Sequence, residues 1–469
     1  MKLLRCAAAS LLLPGCLVLD GLDGSYAVDE QTAGQCSGRW SAAYGGQAPE
    51  SAGGIAVSSA PRLFVVGSYS GELAVGQQTL AANGIDSYLI ALDNDGGLQQ
   101  ASTSGFAGNE RAKRVAADTE LVVLAGTYSD GFDGCAPADE PGDAGIFVSF
   151  VTAGTLVIQE TRCLAGTGAP EITSIALDEQ GVRIAGVFDG ELVHEGTAHG
   201  ANERDGFLVS FDRSGGAGLL LLATGDGDQS IDAVTVLPGG GTAIAGTFGD
   251  ELLLLGESRL AAGGDDIFVA VLDPDLGLRT LSSWGTDEDQ QVSGMAFEGE
   301  QLFLAGEHDG GALDFGGGAV LAAPEGEAAA GFAVSFPFDA ESGALAAPLW
   351  LTAFAADDLD VAGIAASGAA VYLAGTVDGG LAVGAGVARG SGARDVFVVR
   401  LDRGTGQETA VSRCGDADVQ TVVGVAVDVE DDDVFFVGEL SGSIDLGGLG
   451  PRTSQGQTDI LVGEMATPE

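Results

Sequence analysis

The stretch VYLAGTVDGGL (371–381) is a continuous apolar strand that runs through Ala-Gly into a polar, glycine-rich turn. Its apolar run ends at Gly375, and six other stretches repeat it. LFVVGSYSGEL ends its run at Gly67, LVVLAGTYSDG at Gly126, VRIAGVFDGEL at Gly186, TAIAGTFGDEL at Gly246, LFLAGEHDGGAL at Gly306 and VFFVGELSGSI at Gly438. Successive glycines stand 59, 60, 60, 60, 69 and 63 residues apart. A fixed period of this size is the signature of a solenoid or a propeller. On this reading the Ala-Gly marks where sheet gives way to hairpin.

Three more strand-like pieces surround each copy in a fixed order. In the sixth unit GIAAS (363–367) precedes VYLAG, and a glycine-rich hairpin, DVFVVRLD (395–402) and ETAVSRCG (408–415) follow. The third piece recurs as DSYLIALD from Asp86, GIFVSF from Gly145, DGFLVSFD from Asp205, DIFVAVLD from Asp266, GFAVSFPFD from Gly331 and DILVGEM from Asp459. Second and third pieces are apolar at nearly every position, which a strand shows only when both faces are covered. The fourth is more polar, as in LQQASTSG (98–105) and LRTLSSWG (278–285), and suits an outer edge facing water.

These features predict an all-β chain, a seven-bladed β-propeller of four-stranded antiparallel blades. A β-helix would need a shorter period and no polar strand in each unit. The last unit begins with VVGVAVD (422–428) and lacks only its outer strand, which RWSAAYGG (39–46) supplies from the other end of the chain. The ring is expected to close by that pairing, removing open edges.

Charge narrows the partners. The chain carries 68 acidic against 19 basic side chains, a net charge of −49, with lysine only at Lys2 and Lys113. Such a surface repels nucleic acid and anionic lipid and keeps a protein soluble and monomeric.

Lys2 and Arg5 precede an apolar run (6–13) and then LPGC (13–16), a secretory signal too short to span a bilayer. It resembles a bacterial lipoprotein signal, which implies that Cys16 is lipidated. The expected organisation is a signal (1–16), a Gly/Ser/Asp-rich tether (17–38), the propeller (39–465) and a tail (466–469). The only membrane contact expected is that lipid anchor, at the outer membrane or cell surface; without lipidation the chain would be secreted.

Cys36, Cys135, Cys163 and Cys414 are disulfide candidates in an oxidising compartment, since no CxxC or Cys/His metal spacing is present. Antiparallel order puts Cys135, in a loop between second and third strands, on the same side as Cys163, at the end of the outer strand of that blade. These two are expected to pair. Cys36 and Cys414 start on opposite faces, so their pairing depends on the tail.

GGDDIFVAVLD (263–273), followed by an outer strand, an acidic turn, VSGMAF (292–297) and LFLAG, resembles the seven-bladed β-propeller (SBBP) repeat of bacterial surface and secreted proteins. DGGALDFGGGAVLAA (309–323) is similar to it as well. The resemblance spans residues 39–465 and implies export and a surface-exposed or lipid-anchored place, with no defined ligand. Two units depart from it, the second with SDGFDGCAPADEPGDAG (129–145) and the fifth with FPFDAESGALAAP (336–348).

No HExxH, P-loop or nucleophile elbow is present. His194 and His199 flank a turn and read as exposed, far from any nucleophile pattern. The site candidate lies in the loops leading into blades four to seven: TGDGDQSID, GTDEDQQ, AADDLD and GDADVQ. They carry Asp226, Asp228, Asp287, Glu288, Asp289, Asp357, Asp358, Asp360, Asp416 and Asp418, an acidic arc whose oxygens suit calcium or a cationic partner. The leading expectation is a binding scaffold at the cell envelope for a protein or polysaccharide, without enzymatic activity and without a cofactor other than calcium. The alternatives are a lyase or hydrolase using channel carboxylates and a purely structural envelope protein.

Overall fold

The computed structural model describes residues 37–58, 62–104, 106–135, 143–322, 329–383, 386–389, 394–415, 418–446 and 450–466. Cys16, Cys36 and Asp416 lie outside them. The strands pair into seven four-stranded antiparallel units, the blades of a β-propeller. Blade 6 is typical. Its inner strand Asp358–Ala366 pairs with Ala370–Asp378, then comes Asp395–Asp402, and Glu408–Cys414 is outermost.

The other inner strands are Glu50–Ser58, Asn109–Ala117, Glu171–Leu177, Ala233–Val236, Gln290–Glu298 and Gln420–Asp428. Each touches the next around the ring, and Gln420–Asp428 touches Glu50–Ser58. The seventh blade is completed by Gly38–Tyr44, which pairs with Asp459–Met465 from Gly38↔Met465 to Tyr44↔Ile460. The ring therefore closes as its sequence pattern requires. Seven separate apolar cores fill the seven seams between sheets.

The recurring glycine has a different role from the one its sequence position suggests. The second strand does not end there; in blade 6 it continues past Gly375 to Asp378. A Cβ on Gly375 would stand 2.1 Å from the Asp360 carbonyl oxygen and 2.8 Å from the Phe397 ring. In all seven copies, Gly67, Gly126, Gly186, Gly246, Gly306, Gly375 and Gly438, a Cβ would come within 1.8–2.1 Å of an inner-strand carbonyl oxygen. Directly opposite each glycine on the third strand stands a large side chain: Tyr88, Phe147, Phe207, Phe268, Phe332, Phe397 and, in the last blade, Leu461. The ring covers the bare backbone, and burying such a side chain is worth about 1.5–3 kcal/mol.

The close approach follows from the inner strands. In six of them the register slips by one residue at the same place, between Ala52 and Gly54, Ala112 and Arg114, Ile172 and Ser174, Val292 and Gly294, Val361 and Gly363, and Val422 and Gly424. Such a bulge bends the strand and re-aims the side chain beside it.

Hairpins between second and third strands protect the wet edges. Glu251–Leu254 of blade 4 pairs with the outer strand Ala217–Thr224 of blade 3, and Gly380–Val383 of blade 6 with Trp350–Ala356 of blade 5. Single bridges do the same at Gly45↔Ala74 and Gly166↔Leu192. Four blades thus cover part of their predecessor's open edge. Blade 2 carries the 129–145 insertion in place of the hairpin. Cys135 is bonded there to Cys163, as expected from strand order. Phe132 stacks between Tyr128 and Phe147, with ring centroids 5.0 and 5.6 Å away.

Candidate functional site

The loops between second and third strands and those leading into the next inner strand share one face. Their anchors recur. The inner-strand position two before the bulge holds Glu50, Glu110, Gln290 and Gln420, and in the unbulged blade 4 Gln229 takes the equivalent place through a bridge to Phe248; all five are buried. Gln290 Nε2 donates to Thr286 Oγ1 at 2.7 Å, and its Oε1 accepts the Thr286 N–H at 2.8 Å. Gln229 donates to the carbonyls of Asp226, Gly227 and Glu251. Where this position is a carboxyl, burial dominates its ionisation: Glu50 is pushed up to about 7 with Asp459 nearby, and Glu110 to about 8 with Asp86 nearby.

On this face a polar cleft of about 270 Å³ opens between blades 3, 4 and 5, lined among others by Glu171, Arg204, Asp228, Asp232, Thr247 and Asp265. Arg204 pairs with Glu171 at 3.7 Å on the exposed rim. Asp265 is raised by burial and by the surrounding charges of Asp289, Asp228 and Asp250. Asp232 is raised to about 6 by burial, against hydrogen bonds from Ser230 Oγ (2.7 Å) and Thr247 Oγ1 (2.9 Å).

The acidic arc is only partly assembled. Asp228 and Asp289 both come near Asp265, and Asp289 Oδ1 accepts the Asp265 N–H at 3.0 Å. Asp226, Asp287 and Glu288 are exposed on their own loops. Asp418 packs against the blade-7 hairpin turn, where a Cβ on Gly442 would reach its carboxylate at 1.9 Å. Asp358 and Asp360 are not in a loop: the ladder Asp358↔Asp378 and Asp360↔Thr376 puts both in the inner strand, and Asp358 pairs with Arg394 at 3.3 Å. Asp357 carries the turn just before that strand, beside Gly379. Among the described residues no group of three or more His, Cys, Asp or Glu side chains is arranged to hold a metal ion, so the arc does not form a calcium cage there.

The histidines also sit differently from their reading as exposed turn residues. His194 and His199 lie on the two sides of a blade-3 hairpin and are half-buried, because the hairpin folds back along the neighbouring edge. His308 ends the second strand of blade 5 and is buried, its Nδ1 3.4 Å from the Gly310 carbonyl. Burial lowers both His194 and His308. Cys414, buried at the end of its outer strand, is disulfide-bonded. With Cys135 and Cys163 joined to each other, its partner lies outside the described residues.

A second cavity, about 200 Å³, runs along the central channel and is walled by all seven inner strands. Small residues stand at the equivalent position in six blades, after the bulge at Gly54, Ser174, Gly294, Gly363 and Gly424 and at Ala233 in the unbulged blade 4. They let the strands crowd together; a Cβ on Gly424 would meet Ile55 at 3.6 Å and Gly54 at 3.7 Å. The seventh position is Arg114. The run ERAKR (110–114), three basic residues in five within so acidic a chain, is the sequence signal for it. Arg114 and Asp232 are the charged members of the channel wall.

No family model matches the sequence, and no characterised protein matches it by sequence. Solved structures similar to it include the Neurospora crassa Pan2 WD40 domain (8% identity, 90% of this chain and 91% of that chain covered, TM-score 0.40). A Synechocystis apocarotenoid oxygenase mutant is similar at 9% identity, covering 89% and 94%, with a TM-score of 0.41. The phage phi92 endosialidase is similar at 8% identity, covering 93% and 69%, with a TM-score of 0.36. At these values the likenesses carry no argument about activity.

Proposed function

We propose that this chain is an exported, lipid-anchored β-propeller that acts as a binding scaffold at the bacterial cell envelope, contacting its partner through the loop face. One observation carries the reading: a polar cleft of about 270 Å³ opens on that face, lined by charged side chains that three successive blades contribute, Glu171, Arg204, Asp228 and Asp265 among them. Function concentrates in variable loops held by a rigid frame. The Cys135–Cys163 bond suits an oxidising compartment outside the cytoplasm.

The test is a pull-down with the purified chain against envelope fractions, with and without calcium, beside a variant carrying Arg204→Ala and Asp265→Ala. Specific capture that the variant loses supports the reading. Capture unaffected by the variant would place the contact elsewhere, and no capture from any fraction sinks the scaffold role. Fractionation of cells expressing wild type and Cys16→Ser tests the anchor: both forms leaving the membrane fraction alike would exclude lipidation at Cys16.

A further inference from the structure

Arg114 stands in the channel where the other six blades carry Gly, Ser or Ala. Its guanidinium is fixed by backbone carbonyls: Nε donates to Thr173 O at 2.5 Å, and Nη1 donates to Gly53 O at 3.0 Å and Lys113 O at 2.9 Å. That uses three of its five N–H groups. Nη2 keeps two with no acceptor among the described residues, and it lies on a cavity open to solvent.

Arg114 is half-buried, and the two fully buried guanidiniums are neutralised. Arg183 pairs with Asp178 at 2.8 Å and Arg413 with Asp395 at 2.9 Å. Arg114 has no carboxylate partner among the described residues, and burial alone lowers it, with no neighbouring charge contributing. Even a half-buried charge without a counter-ion is costly, yet three carbonyls from three blades hold this one in place. The neighbouring bulge residue is Lys113, one of two lysines in the chain. Thr173 and Ser174 add hydroxyls to the same wall, and Asp232 stands in it without acting on Arg114.

The geometry points to an anion site in the central channel, in which Arg114 Nη2 holds the carboxylate or phosphate oxygen of a small molecule. This inference stands apart from the envelope-scaffold reading, which concerns the loop face. The chemistry shared by the two anions is a charge-assisted N–H···O⁻ bond. Because Nε and Nη1 are already engaged, the anion is held from Nη2 alone and not by a two-pronged fork, so planar and tetrahedral anions are both admitted. The cavity is smaller than the roughly 300–1,000 Å³ of drug-sized sites, which limits the occupant to a small molecule. The glycine and aliphatic walls suit a short carbon skeleton. The net charge of −49 opposes an approaching anion, so binding is expected to strengthen as moderate salt screens that field.

The experiment is calorimetric titration of the full chain with sodium D-glucuronate, inorganic phosphate and, as a neutral control, methyl glucoside, at fixed ionic strength. One-site binding of at least one anion and none of the control is expected. Arg114→Gln should weaken it about tenfold or more, and Arg114→Lys should weaken it less. Glucuronate alone binding would identify a carboxylate ligand, and phosphate alone a phosphorylated one. If Arg114→Gln fails to fold, bromide soaked into wild-type crystals decides: anomalous density beside Nη2 supports the site. No saturable anion binding, equal binding by Arg114→Gln, or no bromide at Nη2 overturns it.

Discussion

Arg413 Nε donates to Asp395 Oδ2 at 2.9 Å with both side chains almost wholly removed from solvent, 2% and 1% exposed. Arg413 also reaches the Gly379 carbonyl in the hairpin of the same blade. Asp395 opens the third strand, and Gly415 closes the outer strand against it so tightly that a Cβ would fall 1.8 Å from Oδ1. The pair thus ties three parts of blade 6 together. Arg413→Ala is expected to cost about 3–5 kcal/mol, because it leaves a buried carboxylate without its counter-charge. Replacing both residues by leucine should cost less. Urea unfolding of the two variants measures the difference; equal losses would show that packing and not charge sets the cost.

Gly375→Ala is expected to destabilise by about 1–3 kcal/mol or more, since the new methyl meets a backbone carbonyl at 2.1 Å and a buried ring at 2.8 Å. Relaxing the ring with Phe397→Leu in the same chain should recover only part of the loss, because the carbonyl remains. Thermal melting of the single and double variants checks this. A melting temperature unchanged by Gly375→Ala would refute the close approach as the reason for the glycine.

Cys135 and Cys163 are 28 residues apart, and on a chain-entropy estimate their bond stabilises the native state by about 3.5 kcal/mol. The Cys135→Ser, Cys163→Ser double variant should lose about that much in denaturant unfolding. Proteolysis is expected to begin within 129–145. Cleavage starting in another blade at the same rate as in wild type would mean that the bond does not restrain the insertion.

Stability is expected to fall as pH rises from about 4.5 to about 8. Glu50 and Glu110 are raised by burial to about 7 and about 8, so the native state holds two protons that the unfolded chain releases near 4.5. Where the native state binds more protons, raising the pH weakens folding, and the loss levels off once both groups are ionised. Below about 4.5 both are protonated in either state and contribute no slope. Three other blades already carry the neutral analogue, as Gln229, Gln290 and Gln420. Glu50→Gln with Glu110→Gln should therefore melt higher than wild type at pH 8 and equal to it at pH 4.5. A variant that melts lower at pH 8 would contradict the assignment.

Much of the architecture was legible along the chain. Strands buried on both faces write themselves as unbroken apolar runs such as VYLAG and DVFVV, and seven returns of that run count the units. The polar outer strand and the displaced RWSAAYGG predicted how the ring closes, because an unpaired edge in water is costly wherever it lies. Cys135 and Cys163 could be paired from strand direction alone.

Other features depend on distances that no linear pattern contains. The glycine of VYLAG read as the end of a strand, but its purpose is the inner-strand carbonyl 2.1 Å from where a Cβ would be. The ring that covers it comes from residue 397, fixed by register. Asp358 and Asp360 read as loop ligands and proved to be strand residues, because Asp and Gly favour turns but a ladder of backbone hydrogen bonds overrides that preference. Arg114 was hidden among nineteen basic residues. Sequence by itself determined the repeat, the blade order and the closure, since these follow from which faces must avoid water. Only the tertiary structure decided where charge is left unpaired, because that depends on seven strands from distant parts of the chain meeting around one channel.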